Sequence, residues 1–166
     1  SIQNNRISNF NDDGHASCLT SYSSHTILIE HNECWNSVSG IFPKGAISPY
    51  GLHGFTIRYN YIHDTTKGIR MGGIGTPDSG SAADMSYVYQ NLIVRSGLGA
   101  IIFLGFDSVS PARVIVANNT IDSAGSLSNT EAGGILQRPG YSGYREIRIH
   151  NNIVTNINAI CQRARF

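Results

Sequence analysis

One six-residue frame recurs six times in this chain, always with asparagine in its fourth place. The frame is aliphatic, any, any, Asn, any, small apolar. It reads I-Q-N-N-R-I at Ile2 to Ile7, I-E-H-N-E-C at Ile29 to Cys34 and I-R-Y-N-Y-I at Ile57 to Ile62. It returns as V-Y-Q-N-L-I at Val88 to Ile93, V-A-N-N-T-I at Val116 to Ile121 and I-H-N-N-I-V at Ile149 to Val154. The framed residues Asn5, Asn32, Asn60, Asn91, Asn119 and Asn152 stand 27, 28, 31, 28 and 33 apart. A repeat of this length is the mark of a solenoid, in which each unit buries its apolar face only against its neighbours.

A second row trails the first. Gly40-Ile41, Gly68-Ile69 and Gly99-Ala100-Ile101 follow Asn32, Asn60 and Asn91, and Gly134-Ile135 and Ala159-Ile160 are later versions. Each repeat then reads as a strand, a tight Asn turn, a short strand, a bend at Gly, a third strand and a variable loop. This is an all-β parallel β-helix of about six coils, with three short parallel strands per coil, filling residues 1–166 as one domain. Side chains alternate faces along a strand. Ile27 and Ile29, Phe55 and Ile57, Val114 and Val116, and Ile147 and Ile149 are therefore expected to point inward. The framed asparagine is expected to adopt the left-handed backbone conformation at the turn and to bond to the asparagine of the next coil. The loops between coils differ in length. Neither end shows a capping helix, so the chain reads as part of a longer one or as a solenoid whose ends stack in a homo-oligomer.

Composition agrees and removes some functions. Charged residues make up 14% of the chain, against about 25% for an average globular protein. Eighteen glycines suit short strands and tight turns. A net charge of +1 offers no global field for nucleic acid. No apolar stretch approaches the roughly 20 residues of a membrane span. Cys18, Cys34 and Cys161 are an odd, scattered set; Cys34 fills a frame position held elsewhere by Ile or Val and reads as a small buried hydrophobe.

The six I-x-x-N-x-I frames and the G-I frames behind them resemble the right-handed parallel β-helix proteins of the pectin-lyase-like superfamily. The resemblance covers nearly the whole chain. It implies a right-handed coil, as parallel crossovers generally are, an extracellular or periplasmic location, and carbohydrate chemistry. That superfamily also holds esterases, epimerases, tailspikes and adhesins, so fold does not fix activity. Asn11-Asp12-Asp13-Gly14-His15 is similar to the acidic motif of polygalacturonase-like hydrolases. The later histidine and Arg/Lys motifs of those enzymes are not found.

Aligning the coils sorts the outward residues into rows. After the Gly bend, one row is Phe42, Arg70, Ile102, Leu136 and Cys161, and the next is Lys44, Gly72, Leu104, Arg138 and Arg163. Lys44 and Arg70 then fall on adjacent coils of the most basic face. In lyase-like relatives such a cation removes the proton α to a uronate carboxylate, and a second cation or Ca²⁺ stabilises the enolate. After the Asn turn the row is Trp35, His63, Val94, Asp122 and Thr155, beside Asn36, Asp64, Arg95, Ser123 and Asn156. Asp64 and Asp122, about 10 Å apart, read either as an acid and base pair or as an Asp-Arg-Asp ion ladder through Arg95. Glu30 and Arg58 form a second such pair. Trp35, Tyr59, Tyr61, Tyr87 and Tyr89 gather near the turns and could stack on sugar rings.

The expectation is a carbohydrate-active module, lyase-like in the binding or cleavage of an acidic polysaccharide. Its catalytic candidates are Lys44, Arg70, His63 and Asp64, and its binding candidates Trp35, Arg95, Arg138, Tyr59 and Tyr61. The sequence specifies no cofactor with certainty, and Ca²⁺ is the candidate: the loop from Thr76 to Asp84, with two carboxylates, is where it would sit, although it lacks the EF-hand pattern. The alternative is a non-catalytic structural or adhesive module that oligomerises through its ends.

Overall fold

The structure is a computed structural model that describes residues 1–10, 17–22, 26–37, 47–50, 54–71, 85–103, 112–127, 132–137 and 144–157. The described elements are all strands, and they form three parallel sheets. Sheet A holds the strands that precede each framed asparagine: Ile2–Gln3, Leu28–Glu30, Thr56–Arg58, Met85–Tyr89, Ala112–Ala117 and Tyr144–His150. Sheet B holds those that follow it: Arg6–Ser8, Glu33–Ser37, Tyr61–Thr65, Leu92–Ser96, Thr120–Ala124 and Ile153–Thr155. Sheet C comprises Leu19–Tyr22, Ile47–Tyr50, Ile69–Met71, Gly99–Phe103 and Gly133–Gln137. Each of the first five chain turns visits A, B and C in that order, which is the three-strand coil of a parallel β-helix. None of the described residues forms a helix long and apolar enough to cross a membrane.

Register follows the frames. In sheet A the inner row runs Ile2, Ile29, Ile57, Val88, Val116, Ile149. In sheet B it runs Ile7, Cys34, Ile62, Ile93, Ile121, Val154. In sheet C it runs Leu19, Ile47, Ile69, Ile101, Ile135. Ile57, Ile62, Ile69 and Ile93 are wholly buried, as stacking predicts: each has a coil on both sides. Ile149 and Val154 continue their rows yet are 39% and 41% exposed, because no described coil lies beyond theirs.

The framed asparagines form a continuous ladder inside the turn. The Oδ1 of Asn60 accepts the backbone N–H of Asn32 at 3.1 Å and its Nδ2 at 3.0 Å, and Asn91 serves Asn60 in the same way. The Nδ2 of Asn60 also lies 2.9 Å from the Arg58 carbonyl oxygen and 3.0 Å from that of Ile29. The expected asparagine-to-asparagine bond is therefore present from Asn5 through to Asn152.

The expected left-handed residue is displaced by one. The framed asparagines do not have positive φ; the residues before them do, namely Asn4, His31, Tyr59, Gln90, Asn118 and Asn151, at 54 to 59°. An asparagine in the ladder must turn its amide inward along the axis, and the preceding residue takes up the chain reversal. A second left-handed row lies four places after the ladder, at Asn9, Asn36, Asp64, Arg95, Ser123 and Asn156. It marks a second bend, at the penultimate residue of four sheet B strands and just past the end of the other two.

Two further expectations are corrected. Ile47, not Ile41, pairs with Ile69, because the strand of the second coil enters sheet C later than the Gly40-Ile41 dipeptide suggests. Cys34 is buried as expected but is also bonded to Cys18, with their Cα atoms 6.0 Å apart. The long loop after Asn9 hides in sequence that Cys18 leads directly into the sheet C strand at Leu19, next to the inner row of the following coil. Gly68 shows why a bend residue recurs before sheet C: a Cβ there would stand 2.3 Å from the Ala100 carbonyl oxygen.

Replacing Asn91 with Ala strands the buried backbone N–H of Asn60 and removes a donor to two carbonyls. At about 1–3 kcal/mol per orphaned group, urea unfolding is expected to show a loss of at least about 2 kcal/mol. Asn5→Ala, at a more exposed rung, is expected to cost less than half as much. Reducing the Cys18–Cys34 bond, which spans 16 residues, is expected to lower unfolding stability by roughly 3 kcal/mol.

Candidate functional site

The outer face of sheet B concentrates the chemistry. Strand alternation sends two rows outward: Arg6, Glu33, Tyr61, Leu92, Thr120 and Ile153, and beside it Ser8, Trp35, His63, Val94, Asp122 and Thr155. The second is the row read from the sequence. The left-handed row of Asp64 and Arg95 borders it, where the backbone turn throws these side chains outward.

His63 is the hub. Its ring stacks on Tyr61 of the same strand at 4.3 Å and lies parallel to Trp35 of the preceding coil at 6.0 Å. Its Nδ1 is 2.7 Å from Asp64 Oδ2, and its Nε2 is 3.4 Å from Glu33 Oε1. Ionised Asp64 and Glu33 can only accept, so the ring nitrogen that carries the proton donates to whichever carboxylate it faces. The side chain is 14% exposed, sheltered by the two aromatic rings. Arg6 donates from Nε to Glu33 at 2.6 Å, and its guanidinium lies 5.5 Å from the Trp35 ring centre. Arg95 grips Asp64 with two bonds, Nε to Oδ1 at 2.5 Å and Nη2 to Oδ2 at 2.6 Å. A chain Arg6, Glu33, His63, Asp64, Arg95 thus crosses coils one to four.

Charge pairing fixes the ionisation of these carboxylates. Arg95 above all, with His63 adding, holds Asp64 well below the ordinary aspartate range. The hydrogen bond from Arg6 lowers the pKa of Glu33 from the ordinary glutamate value. Asp122 is lowered by hydrogen bonds from Thr155 and Asn156, both at 2.7 Å, rather than by Arg95. The expected Asp-Arg-Asp ladder is therefore half formed: Arg95 pairs with Asp64, while Asp122 turns to the last coil. Asp64 is bonded to Arg95 and His63, and Asp122 to Thr155 and Asn156. On sheet A, Glu30 and Arg58 pair at 2.7 Å as expected, and Arg58 also donates to the Tyr89 hydroxyl.

The corner between sheets A and B carries an open groove of about 480 Å³ along three coils. One wall is the left-handed row Asn4, His31 and Tyr59; the other is Arg6, Glu33 and Tyr61; Asn5 and Asn32 of the ladder form the floor. His31 and Tyr59 are stacked with centres 5.1 Å apart, close to the strand spacing. Tyr59 and Tyr61 are 43% and 36% exposed.

The structure brings together Trp35, Tyr61, His63, Asp64 and Arg95 on sheet B, with Tyr59 at the adjoining corner. Arg70 is apart from them, on sheet C in register with Ile102. Ile102 is fully buried, so the outer face of sheet C is covered there. The alignment that set Lys44 beside Arg70 rested on Ile41 meeting Ile69, and the pairing of Ile47 with Ile69 removes it. Lys44 itself, Arg138, the Asn11-to-His15 segment and the Thr76-to-Asp84 loop lie outside the described residues. Among the described residues no cluster of three or more His, Cys, Asp or Glu could hold a metal ion.

Sequence reading missed the groove and its wall residue His31. The signal was present: three of the six frames carry Asn-Asn, and a repeated asparagine before the ladder position marks a left-handed residue whose side chain must point out. Comparison of the chain with family models, with curated proteins and with solved structures returns no match.

The lowered carboxylates set a pH dependence. Each binds its proton more weakly folded than unfolded, so its stabilisation is complete above the unfolded value near pH 4 and drains away as the pH falls through the lower folded value. Urea midpoints are expected to be level from pH 7 to about 5 and to fall below about 4. Arg95→Ala is expected to cost under about 1 kcal/mol at pH 7, since the pair is exposed.

Proposed function

We propose that this chain is a carbohydrate-binding β-helix module that holds a polysaccharide along the outer face of sheet B. The observation that carries the reading is the aromatic and polar strip of Trp35, His63 and Tyr61, bordered by Arg6–Glu33 and Asp64–Arg95. Aromatic rings offer flat apolar surfaces to the C–H faces of sugars, and paired charges offer fixed donors and acceptors to hydroxyls. The rings stand on two adjacent coils, about 4.8 Å apart along the axis, with Trp35 in register with His63. The asparagine frames are compatible with membership of the pectin-lyase-like superfamily, in which carbohydrate chemistry is common. The Cys18–Cys34 disulfide favours an oxidising, extracytoplasmic setting.

Binding is better supported than lyase-like cleavage. Proton abstraction α to a uronate carboxylate needs a base at the strip. Arg95 is engaged by Asp64, Arg70 belongs to another sheet, and both ring nitrogens of His63 face carboxylates, Asp64 and Glu33. Hydrolysis needs a protonated carboxylic acid, whereas Glu33 and Asp64 are held ionised. A second reading, a structural or adhesive module that pairs through its ends, draws on the exposed inner-row residues Ile149 and Val154; a mass that rises with concentration is its signature.

Glycan-array binding of the full chain, with Trp35→Ala as the control, tests the proposal. Trp35→Ala is expected to weaken binding at least about tenfold without loss of folding. Absence of any glycan signal would sink the carbohydrate reading. Appearance of an ultraviolet-absorbing unsaturated uronate on pectate or alginate, with or without Ca²⁺, would restore cleavage.

A further inference from the structure

The groove at the corner between sheets A and B shares Arg6, Glu33 and Tyr61 with the edge of the strip and adds a second wall of Asn4, His31 and Tyr59. Its walls differ along the axis. At the third coil Tyr59 and Tyr61 flank it as two exposed aromatic walls. At the second, His31 stacks beneath Tyr59 and faces Glu33 across the floor. At the first, Asn4 faces Arg6. One end is thus aromatic, and the other presents amide, guanidinium and carboxylate groups. The volume of about 480 Å³ falls in the roughly 300–1,000 Å³ range of small-molecule sites. Three coils give it a length of roughly 10 Å, enough for a short run of sugar rings rather than one small ion.

Its electrostatics select among sugars. Among the described residues that line the groove, Arg6 is the only arginine or lysine, and Glu33 already accepts from it at 2.6 Å. Glu33 also keeps a second acceptor oxygen turned to His63. A uronate entering here would place its carboxylate against Glu33 and would have to displace it from Arg6. A neutral sugar meets no such repulsion: its hydroxyls can donate to Glu33 and accept from Arg6 and from the Asn4 amide, and its apolar face can lie on the tyrosines. The same pairing recurs at Arg58, Arg95, Arg113 and Arg148, each held by a carboxylate, so the surrounding faces of sheets A and B add no bare guanidinium from these four.

We infer that this corner groove is a subsite for an uncharged pyranose-containing oligosaccharide, gripped by Tyr59 and Tyr61 and selected against uronates by the Arg6–Glu33 pair. The inference rests on the carbohydrate reading and sharpens it, moving the ligand from an acidic polysaccharide to a neutral one.

The test is an array of neutral oligohexoses and oligouronates probed with the full chain and three variants. Tyr59→Asn removes the ring but keeps a residue that the same row already uses at Asn4, Asn118 and Asn151, so the left-handed turn survives. Glu33→Gln releases Arg6 and removes the negative charge. The native chain is expected to bind neutral oligosaccharides in preference to uronates. Tyr59→Asn is expected to weaken that binding roughly tenfold. Glu33→Gln is expected to raise the uronate-to-neutral affinity ratio roughly tenfold. Native binding confined to uronates overturns the inference, as does neutral binding that Tyr59→Asn leaves unchanged. In either case a loss in Trp35→Ala shows that the strip still binds glycan and that only the groove assignment has failed. Silence on every glycan sinks both. Matching circular dichroism of the variants and the native chain separates lost binding from lost fold.

Discussion

Everything in this molecule hangs on one hydrogen bond repeated coil after coil: an asparagine Oδ1 accepting the backbone N–H of the asparagine before it. The bond solves a problem particular to a tight corner in a solenoid. Where sheet A turns into sheet B, the backbone amides cannot all continue a sheet ladder, and water is excluded. An unmade bond there would cost about as much as several surface contacts together contribute. The asparagine side chain supplies the missing acceptor and, through Nδ2, satisfies carbonyls on its own coil and the previous one. No other side chain of that length carries both functions.

The ladder has consequences at the surface. It pins register, and register decides which outward residues become neighbours. Trp35 lies beside His63, and Arg95 beside Asp64, because Asn32, Asn60 and Asn91 are stacked. It also forces a left-handed residue immediately before each rung, which lifts His31 and Tyr59 out of the wall and opens the groove beside Arg6 and Glu33. The same constraint that closes the core therefore shapes the surface most suited to a ligand.

Much of this was legible in the chain. The frames gave the coils, the inner rows and the sheet B row from Trp35 to Thr155, because a period set by tight turns leaves little freedom in register. Sheet C was less legible. Its strands follow loops of unequal length, so Ile41 and Ile47 compete for one place and only the fold decides between them. The Cys18–Cys34 bond was hidden for the same reason. Left-handed geometry was assigned to the wrong member of each turn, since asparagine is a good candidate both for that conformation and for the ladder, and sequence alone favours the commoner role. Ion pairing was partly visible: Glu30 with Arg58 and Asp64 with Arg95 follow from register, whereas the turning of Asp122 towards Thr155 depends on rotamers that no spacing specifies.

The functional account reduces to a claim about place: ligand lies on sheet B and its corner with sheet A, not on sheet C. Backbone and indole N–H resonances followed during titration with a bound oligosaccharide test this most directly. The account predicts the largest shifts at Trp35 and from Tyr59 to His63, with Ile69, Arg70 and Met71 unmoved. Shifts concentrated at Ile69 to Met71, with Trp35 and Tyr59 silent, would contradict it.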